Sequence, residues 1–369
     1  MQQGRQTIID LLNGTVSWPP VVVPFGLDPF GWHGEQESYR DVCDFALDYC
    51  TLLPKVYPVS DPLYVGKGKT EVISDTETRL DGTRIRRHEL RYKKRTFSME
   101  ETQTPGDSSW MVSKRWIENE EDFNFFLGMD DLPPAEPEIE KVRLKVCQVG
   151  EHGLPYVEIR DAFSIVCQML PTVTFYIKTV TDFDRLSHLI SIAAERVLYI
   201  ITRLCRETGS LFILRLIGAE LAVPPFMSRR DFLRFNEDFY TEAARIARDC
   251  GIPAAVHCHG PVREIAGDIW QMGFSIMEPF EPPPRGNLTI AEALSLTNSR
   301  GIVLGGVDDV LLNTGDCQAV RNAVQQCLDG ARNTGKPYIL SQSATPFFDP
   351  LSERAKENLL LFMKLGTAG

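Results

Sequence analysis

The chain has 369 residues, 43% hydrophobic and 24% charged, a composition typical of a globular protein with a large core. Its formal net charge of -11 argues against a nucleic-acid-binding domain, which would be basic. No apolar run approaches the roughly 20 residues of a membrane helix. The 9 cysteines are scattered without a CxxC pair, so we expect reduced thiols and a cytoplasmic location.

The N-terminal part begins with an amphipathic helix in MQQGRQTIIDLLNG, which lacks the layout of a signal peptide, and continues into the apolar strand VVVPFG. Residues 64–135 have a different pattern. There Asp81-Gly82 separates two alternating segments, TEVISDTETRL and TRIRRHELRYKKRTFSMEET, which predicts a β-hairpin. Its basic run from Arg84 to Arg95 is either a solvated face or a docking patch for an acidic partner or anionic ligand.

From about residue 181 onward, strand-like and helix-like segments alternate. A long helical pattern ends at Gly209, and five apolar strands follow, each with a helix after it. These strands are LFILRLI, PAAVHCH, FSIME, IVLGGV and YILSQS. Five strand–helix units with short links predict a parallel sheet with right-handed crossovers.

Such a sheet is either open and doubly wound or closed into a (β/α)8 TIM barrel. No G-x-G-x-x-G follows a strand, so the dinucleotide-binding form of the open sheet lacks its fingerprint. The length and the number of repeats favour the barrel. We therefore predict an α/β fold with one barrel domain over residues 1–369 and a β-hairpin-rich insertion at 64–135 in its N-terminal half.

Two of the 6 histidines lie together in the stretch V-H-C-H-G, residues 256–260. In a strand, His257 and His259 point to one side and Cys258 to the other, where it packs as a small buried thiol. The pair lies at the carboxyl end of a predicted strand, where barrel active sites are built. One interpretation of this pair is a hydrogen-bonded polar pocket. Two histidines on one face favour the other interpretation, which is metal ligation.

Other polar residues follow the predicted strands at the same edge. Carboxylates there are costly to desolvate unless they meet cations or donors, so together with the histidines they indicate a metal or acid–base site. The predicted catalytic residues are His257, His259, Glu220 and Glu278, and the predicted metal ligands are His257, His259 and Glu278. The predicted substrate-binding residues are Asp28, His33, Glu281, Asp308, Gln342 and Ser343.

Several stretches resemble the uroporphyrinogen decarboxylase superfamily, and within it the methyltransferase-like branch. They are GAELAVPPFMSRRDF, AAVHCHG, EPFEPPPRGNLTIAEA, IVLGGVD and YILSQSATP. The resemblance covers roughly residues 180–369 well and the N-terminal half loosely. It implies a (β/α)8 barrel and, from the zinc methyltransferases of the family, a His-x-Cys-Gly metal motif completed by a later cysteine.

The chain departs from that motif at two of the three ligands. His259 stands where the first cysteine would be, and Ala344 aligns with the second. Two imidazoles and a carboxylate form a harder site than thiolates, suited to zinc, iron or manganese. The decarboxylase branch is matched less closely, because the stretch VVVPFGLDPFGWHG lacks that branch's arginines, although Asp28 could stand for its pyrrole-binding aspartate.

Three hypotheses of function follow. The first is a metal-dependent methyltransferase or demethylase subunit; no D-x-H-x-x-G motif is present, so a separate corrinoid protein would supply the corrinoid. The second is a decarboxylase or other lyase that acts on a small carboxylated or tetrapyrrole substrate, with a histidine or carboxylate as proton donor. The third is a non-enzymatic barrel that binds a corrinoid or tetrapyrrole. Related barrels often dimerise, so a homodimer is a further candidate.

Overall fold

The computed structural model describes residues 4–16, 18–66, 70–105, 110–130, 132–298, 301–344 and 348–368. Residues 1–3 of the quoted stretch MQQGRQTIIDLLNG, residues 345–346 of YILSQSATP, and residues 67–69, 106–109 and 131 of the predicted insertion lie outside this description. The chain divides into two compact units. The parallel-sheet unit comprises Met1–Pro58, Ile139–Ile159 and Cys205–Gly369, and the antiparallel-sheet unit comprises Val59–Glu138 and Arg160–Leu204.

The strands, in chain order, are β1 Val21–Val22, β2 Lys55–Val56, β3 Thr70–Thr78, β4 Arg84–Tyr92, β5 Arg95–Gln103, β6 Met111–Lys114, β7 Tyr156–Arg160, β8 Ile213–Ile217, β9 Ala254–His257, β10 Ile276–Phe280, β11 Ile302–Val307 and β12 Tyr338–Gln342. The α-helices are α1 Arg5–Leu12, α2 Trp32–Glu35, α3 Arg40–Tyr49, α4 Glu120–Leu127, α5 Ile139–Val149, α6 Ala162–Met169, α7 Thr172–Thr181, α8 Phe183–Glu207, α9 Arg229–Asp249, α10 Ala266–Met272, α11 Ile290–Leu296, α12 Asp309–Thr314, α13 Cys317–Arg332 and α14 Glu353–Ala368. Short 3₁₀ helices lie at Glu37–Tyr39, Gly150–His152 and Ala219–Ala222.

Eight strands form one sheet in the order β1-β12-β11-β10-β9-β8-β7-β2. The strands β8 to β12 are neighbours in sequence order with helices between them, which confirms the five predicted strand–helix units. Each residue of β11 is buried, as a parallel strand covered on both faces requires. The predicted capping box of Thr289 and Glu292 starts α11.

One apolar layer fills the interior of this curled sheet, and every strand region contributes to it. Its members from the sheet are Val21, Leu53, Tyr156, Ile213, Ala255, Ile276, Ile302 and Ile339. Helix α1 adds Ile8 and Leu11, whose i, i+3 spacing places both on one helical face. Fully burying one such side chain stabilises the fold by about 1.5–3 kcal/mol. This layer therefore stabilises the packing of the strands against one another.

The strand order does not by itself close the sheet into a barrel, because β1 and β2 stand at its two ends. Both are only two residues long, and prolines flank each of them at positions 19, 20 and 24 and at positions 54 and 58. Proline has no N–H group to donate to a ladder, so these prolines interrupt the regular pairing of both strands. The sequence prediction of a parallel α/β sheet is confirmed, and the structure stops short of a continuous closed ladder.

The antiparallel-sheet unit contains β3-β4-β5-β6, which confirms that the predicted insertion is rich in β-structure. The predicted turn at Asp81-Gly82 joins β3 to β4, with Gly82 at φ 83°. The second predicted segment is in fact two strands, because the chain turns again at Lys93, at φ 54°. The stretch YKKR carries no glycine, asparagine or proline, so sequence reasoning had no signal for this turn.

The arginines of the predicted basic run have partners within the antiparallel-sheet unit. Arg87 Nε donates to Glu100 Oε1 at 2.8 Å, and Arg86 Nε lies 2.9 Å from Glu101 Oε2. Arg95 pairs with Asp122 at 2.9 Å. These pairs compensate much of the positive charge, while the proposed docking role of the run stays a prediction.

The helices of the described residues contain no single element that is long and apolar enough to cross a membrane. The bent pair α6 and α7 together meets that test by length and composition. Seven of the eight residues of α6 are buried in the protein, as in an ordinary core helix.

Candidate active site

A layer of charged side chains lies directly above the apolar layer of the parallel sheet. Each charged side chain comes two residues after a residue of the apolar layer, on the same strand or, for Lys55, just before it. Residues i and i+2 of a strand point to the same side of the sheet. The pairs are Leu53 and Lys55, Tyr156 and Glu158, Ile213 and Arg215, Ala255 and His257, and Ile276 and Glu278. We call Lys55, Tyr156, Glu158, Arg215, His257 and Glu278 the Arg215 cluster.

Arg215 is the centre of this cluster and is 1% exposed. Its Nε donates to Glu278 Oε1 at 2.5 Å, its Nη1 donates to Glu158 Oε2, and its Nη2 donates to His257 Nδ1 at 2.7 Å. The guanidinium also lies 5.0 Å from the ring centre of Tyr156. Burial alone would lower the pKa of Arg215, but the two carboxylates raise it above its ordinary value.

The two carboxylates of the cluster are almost fully buried and fully engaged. Glu278 accepts from Tyr156 at its second oxygen, Oε2, at 2.8 Å. Burial raises the pKa of Tyr156 well above its ordinary value, so this hydroxyl stays a donor. For Glu158, burial would raise the pKa, but Arg215 and then Lys55 outweigh it and lower the pKa. Glu158 therefore remains charged beside Arg215 and Lys55.

His257 ends β9 and is paired in register with Glu278 of β10. Its Nδ1 lies 2.7 Å from Arg215 Nη2, which can only donate, and 3.3 Å from Glu278 Oε1, which can only accept. The shorter contact makes Nδ1 the acceptor, so the proton of the neutral ring lies on Nε2. Burial, and then the charge of Arg215, lowers the pKa of His257 well below its ordinary value. The ring also stacks on Phe25, with centroids 5.8 Å apart. His257 is thus a neutral imidazole held in one tautomer.

Lys55 is the member of the cluster that retains contact with solvent, with 23% of its side chain exposed. Its Nζ lies 4.0 Å from Glu158 Oε2 and 5.4 Å from the ring centre of Phe25. Burial lowers the pKa of Lys55, and the neighbouring charge of Arg215 adds to this, although Glu158 opposes it. A lysine with a lowered pKa can give up its proton more readily than one in water.

His259 lies beyond the end of β9, so the observed strand ends two residues earlier than the predicted one. The two imidazole rings still meet edge to face, with centroids 4.6 Å apart. His259 Nδ1 lies 3.2 Å from Glu281 Oε1, and Gly260 N–H donates to the other oxygen of Glu281 at 2.9 Å. Burial would raise the pKa of Glu281. The hydrogen bonds from His259 and the Gly260 N–H, together with the charge of Arg285, outweigh burial and lower that pKa.

The predicted metal ligands His257, His259 and Glu278 do not fit a metal ion as they are arranged. Glu278 is bound at both oxygens, and His257 uses Nδ1 as an acceptor while Nε2 carries the proton. A metal needs an unprotonated nitrogen, whose partner nitrogen normally donates to an acceptor. Among the described ranges, no group of three or more His, Cys, Asp or Glu side chains is placed to hold a metal.

The predicted substrate-binding residues near the N-terminus form a local network. Asp28 accepts from Lys145 Nζ at 2.6 Å and from the N–H of Phe30 at 3.1 Å. The Asp28 N–H donates to His33 Nδ1 at 3.2 Å, and His33 is buried. These bonds fix the loop that follows β1.

The other predicted site residues lie around the carboxyl edge of the parallel sheet. Gln342 Oε1 accepts from the N–H of Phe25 at 3.1 Å, which ties β12 to the loop after β1. Ser343 Oγ donates to Asp309 at 2.9 Å, and Asp308 caps α12. Glu220 lies half-buried in the 3₁₀ helix that follows β8. Of the predicted residues, the structure brings His257 and Glu278 into the Arg215 cluster.

Four members of the cluster were missed in the sequence: Lys55, Tyr156, Glu158 and Arg215. A usable signal was present, because three of them are the single charge of an otherwise apolar stretch, in TLLPKVYP, YVEI and LFILRLI. An ionised side chain in a buried strand must be paired, so three such charges of both signs indicate a common cluster.

A pocket of about 640 Å³ opens beside the cluster within the parallel-sheet unit. It is lined by Lys55, Val56, Tyr57, Lys141, Leu144, Lys145 and Gln148. We call it the lysine pocket. None of these lining residues, all in the described part of the chain, is acidic, and Lys55 belongs to both the pocket and the Arg215 cluster. The pocket has the volume of a small-molecule site and favours an anion.

A barrel-like parallel sheet with a buried charged cluster and a pocket at its carboxyl edge defines the class of the protein, an α/β enzyme. The model of the family described as Uroporphyrinogen decarboxylase (URO-D) matches residues 162–347, half of the chain. The chain belongs to the uroporphyrinogen decarboxylase family.

Comparison with solved structures agrees with this fold. A methyltransferase from Methanosarcina mazei is 12% identical, with 100% of each chain covered and a TM-score of 0.60. A GH5-4 broad specificity endoglucanase from Clostridium acetobutylicum is 10% identical, with 99% of each chain covered and a TM-score of 0.44. At such identities the first likeness shows the fold alone, and the second supports no inference. No curated protein sequence matches the chain.

Proposed function

We propose that the chain is a carboxy-lyase that removes CO₂ from a small carboxylated substrate at the Arg215 cluster. The observation that carries this proposal is the lysine pocket, which presents Lys55, Lys141 and Lys145 and shares Lys55 with the cluster. A carboxylated substrate would be held by the ammonium groups of Lys55 and Lys141, while Lys145 is already bound to Asp28. Membership of the uroporphyrinogen decarboxylase family agrees with this class of reaction.

Lys55 is the residue that we assign to proton transfer. When the bond from the substrate carbon to its carboxylate breaks, CO₂ leaves and the electron pair stays on the carbon. The Lys55 ammonium then protonates that carbon, and water returns a proton to the amine. The lowered pKa of Lys55 makes this transfer easier, and its partly exposed side chain gives water access.

Arg215 and its two glutamates position the reacting groups. Glu158 lies beside Lys55, while Arg215 fixes His257 with its Nε2–H available to donate. A donor at this place would stabilise negative charge that spreads from the carbanion to a neighbouring oxygen of the substrate. The hydrogen bonds of Arg215 to Glu158, Glu278 and His257 hold this geometry.

A second candidate is methyl transfer with a separate corrinoid protein. It is supported by the fold similarity to the Methanosarcina protein, named a methyltransferase, and by the 4.6 Å between the two imidazole centroids. A metal site would require His257 to exchange its Arg215 bond for another partner. The contacts of His257 and Glu278 therefore favour the lyase.

We also propose that the parallel sheet is closed into a (β/α)8 barrel. The Thr51 N–H donates to the carbonyl of Val22 in β1 at 3.0 Å, just before β2 begins. Val21 and Leu53, from the two ends of the strand order, share one apolar layer. Hydrogen exchange of the Thr51 amide tests this, since closure predicts protection as strong as that of the central strands and an open edge predicts rapid exchange.

The two candidate functions are separated by parallel assays of the purified chain. One assay measures ¹⁴CO₂ released from a panel of small carboxyl-labelled di- and tricarboxylates. The other measures loss of the methyl group of methylcobalamin to a thiol, with and without added Zn²⁺. Each is repeated with Lys55→Arg, His257→Gln and the control Lys356→Arg, whose lysine is also 23% exposed but lies on α14.

The lyase proposal predicts ¹⁴CO₂ release that Lys55→Arg removes and Lys356→Arg preserves. Zn²⁺-dependent demethylation that requires His257, without ¹⁴CO₂ release, would establish the second candidate instead. Absence of both activities would overturn both.

A further inference from the structure

We infer that Ser74, His88 and Glu101 form a second, nucleophilic site on the antiparallel sheet, suited to acyl transfer from a small ester. The three residues lie on neighbouring strands β3, β4 and β5. This site is separate from the Arg215 cluster and does not depend on the proposed lyase activity.

The hydrogen bonds define the role of each side chain. Glu101 Oε2 lies 3.0 Å from His88 Nε2, and a carboxylate can only accept, so Nε2 carries the proton. In the neutral ring Nδ1 is then an acceptor, and Ser74 Oγ lies 2.6 Å from it. The serine hydroxyl is therefore aligned to give its proton to the histidine, the arrangement that activates a serine.

The strands hold this alignment rigidly. Ser74 and His88 are directly opposed in the antiparallel register, and His88 is buried at 5% exposure. Glu101 stays ionised, because the bond to His88 and the charge of Arg86 outweigh burial and lower its pKa. Arg86 is fixed in turn over the ring of Trp110, 4.1 Å from its centre.

Ser74 also lines a pocket of about 560 Å³ in the antiparallel-sheet unit. A cross-strand hydrogen bond that served only the sheet would not need such a space beside the hydroxyl. The described lining includes the carboxylates of Asp61, Glu136 and Glu138, which disfavour an anionic ligand. The geometry thus points to uncharged or cationic esters of small size.

The reaction balances with water as the second substrate. Ser74 Oγ bonds to the acyl carbon while its proton moves to His88 Nδ1, and that proton then leaves with the alcohol. Water attacks the acyl carbon and gives one proton to His88. The bond from that carbon to Ser74 Oγ then breaks, His88 returns the proton to Oγ, and the carboxylic acid leaves. Glu101 keeps His88 oriented and stabilises its protonated form.

Labelling with a fluorophosphonate probe, located by peptide mass spectrometry, tests this site in the full chain. We expect the label on Ser74, none in Ser74→Ala, and at least tenfold slower labelling in His88→Gln. Ser113→Ala is the matched control, since Ser113 lies on β6 of the same sheet and hydrogen-bonds the carbonyl of Glu100. Melting temperatures verify that each variant is folded.

Hydrolysis of p-nitrophenyl acetate gives a second readout, with an acyl group expected on Ser74 and slower reaction of the anionic mono-p-nitrophenyl succinate. Absence of label on Ser74 in the folded wild type would overturn the inference. A labelling rate unchanged by His88→Gln would do the same. Neither outcome bears on the ¹⁴CO₂ assay, so the two proposals fail independently.

Discussion

The two sheets of this protein use arginine–glutamate pairs in opposite ways. In the parallel sheet, Arg215 is 1% exposed and bridges two buried carboxylates, whereas in the antiparallel sheet Arg86 retains 33% of its side-chain surface in solvent beside Glu101. Removing one partner of a buried group leaves an uncompensated charge, while water replaces a lost partner at the surface. Similar residue pairs therefore differ in what they contribute to stability and chemistry.

The largest expected effect is the loss of stability in Arg215→Met. It leaves Glu158 and Glu278 buried without their cation, so we expect the free energy of unfolding to fall by about 3–5 kcal/mol. Arg86→Met should cost no more than about 1 kcal/mol. Urea unfolding followed by circular dichroism measures both.

Equal losses in these two variants would contradict the distinction between the sheets. If Arg215→Met does not fold, adding Glu158→Gln and Glu278→Gln should restore folding, because no buried carboxylate then lacks a partner. Failure of that triple variant to recover would also count against the account.

The second prediction concerns turnover by Lys55→Arg with a substrate found in the ¹⁴CO₂ assay. Arginine keeps the positive charge but does not release its proton, so kcat should fall at least ~100-fold while KM changes little. In the wild type, kcat should decline as pH rises through the lowered pKa of Lys55, below the ordinary lysine value of about 10.5. A rise in KM with kcat unchanged would show that Lys55 only binds.

A third, smaller effect is the pH dependence of stability from His257. The folded protein keeps His257 neutral, whereas the unfolded chain takes up its proton as pH falls below about 6.5. Stability should therefore decrease with acidification, with His257 contributing up to about 1.4 kcal/mol per pH unit. His257→Gln should have a shallower slope in urea unfolding between pH 6.5 and 5, and an identical slope would contradict the neutral state.

The smallest effect is expected at the exposed pairs of the antiparallel sheet. Arg87 is 53% exposed beside Glu100, and Arg91 is 51% exposed beside Glu89. The double variant Arg87→Gln/Arg91→Gln should leave the midpoint of urea unfolding nearly unchanged. A loss as large as that of Arg215→Met would require a structural role for the basic run.

Much of the parallel sheet could be predicted because its strands are apolar runs bounded by helix caps, as at Thr289 and Glu292. The turn at Lys93 could not, since no residue type there favours a positive φ. The strand predicted in VVVPFG is observed as β1, whereas the short strand β2 was not predicted, because its pairing depends on a neighbour far away in the chain.

The site was only half predictable for a related reason. His257 and Glu278 were found because they follow apolar strands, and the structure pairs them in register. Arg215 lies within the predicted strand LFILRLI and was treated as part of it, while the strand that carries Glu158 was not predicted. What the sequence could not supply was the hydrogen-bond donor to His257, which decides its tautomer and with it the choice between metal ligation and acid–base chemistry.

The tautomer of His257 is the most direct test of this account. Nitrogen NMR of the protein with ¹⁵N-labelled histidine, assigned with His257→Gln, reads the protonation of both ring nitrogens. The account predicts an unprotonated Nδ1 that accepts from Arg215 and a protonated Nε2, both unchanged when Zn²⁺ is added. A proton on Nδ1 with Nε2 bound to Zn²⁺ would contradict it and make the predicted metal centre the better description.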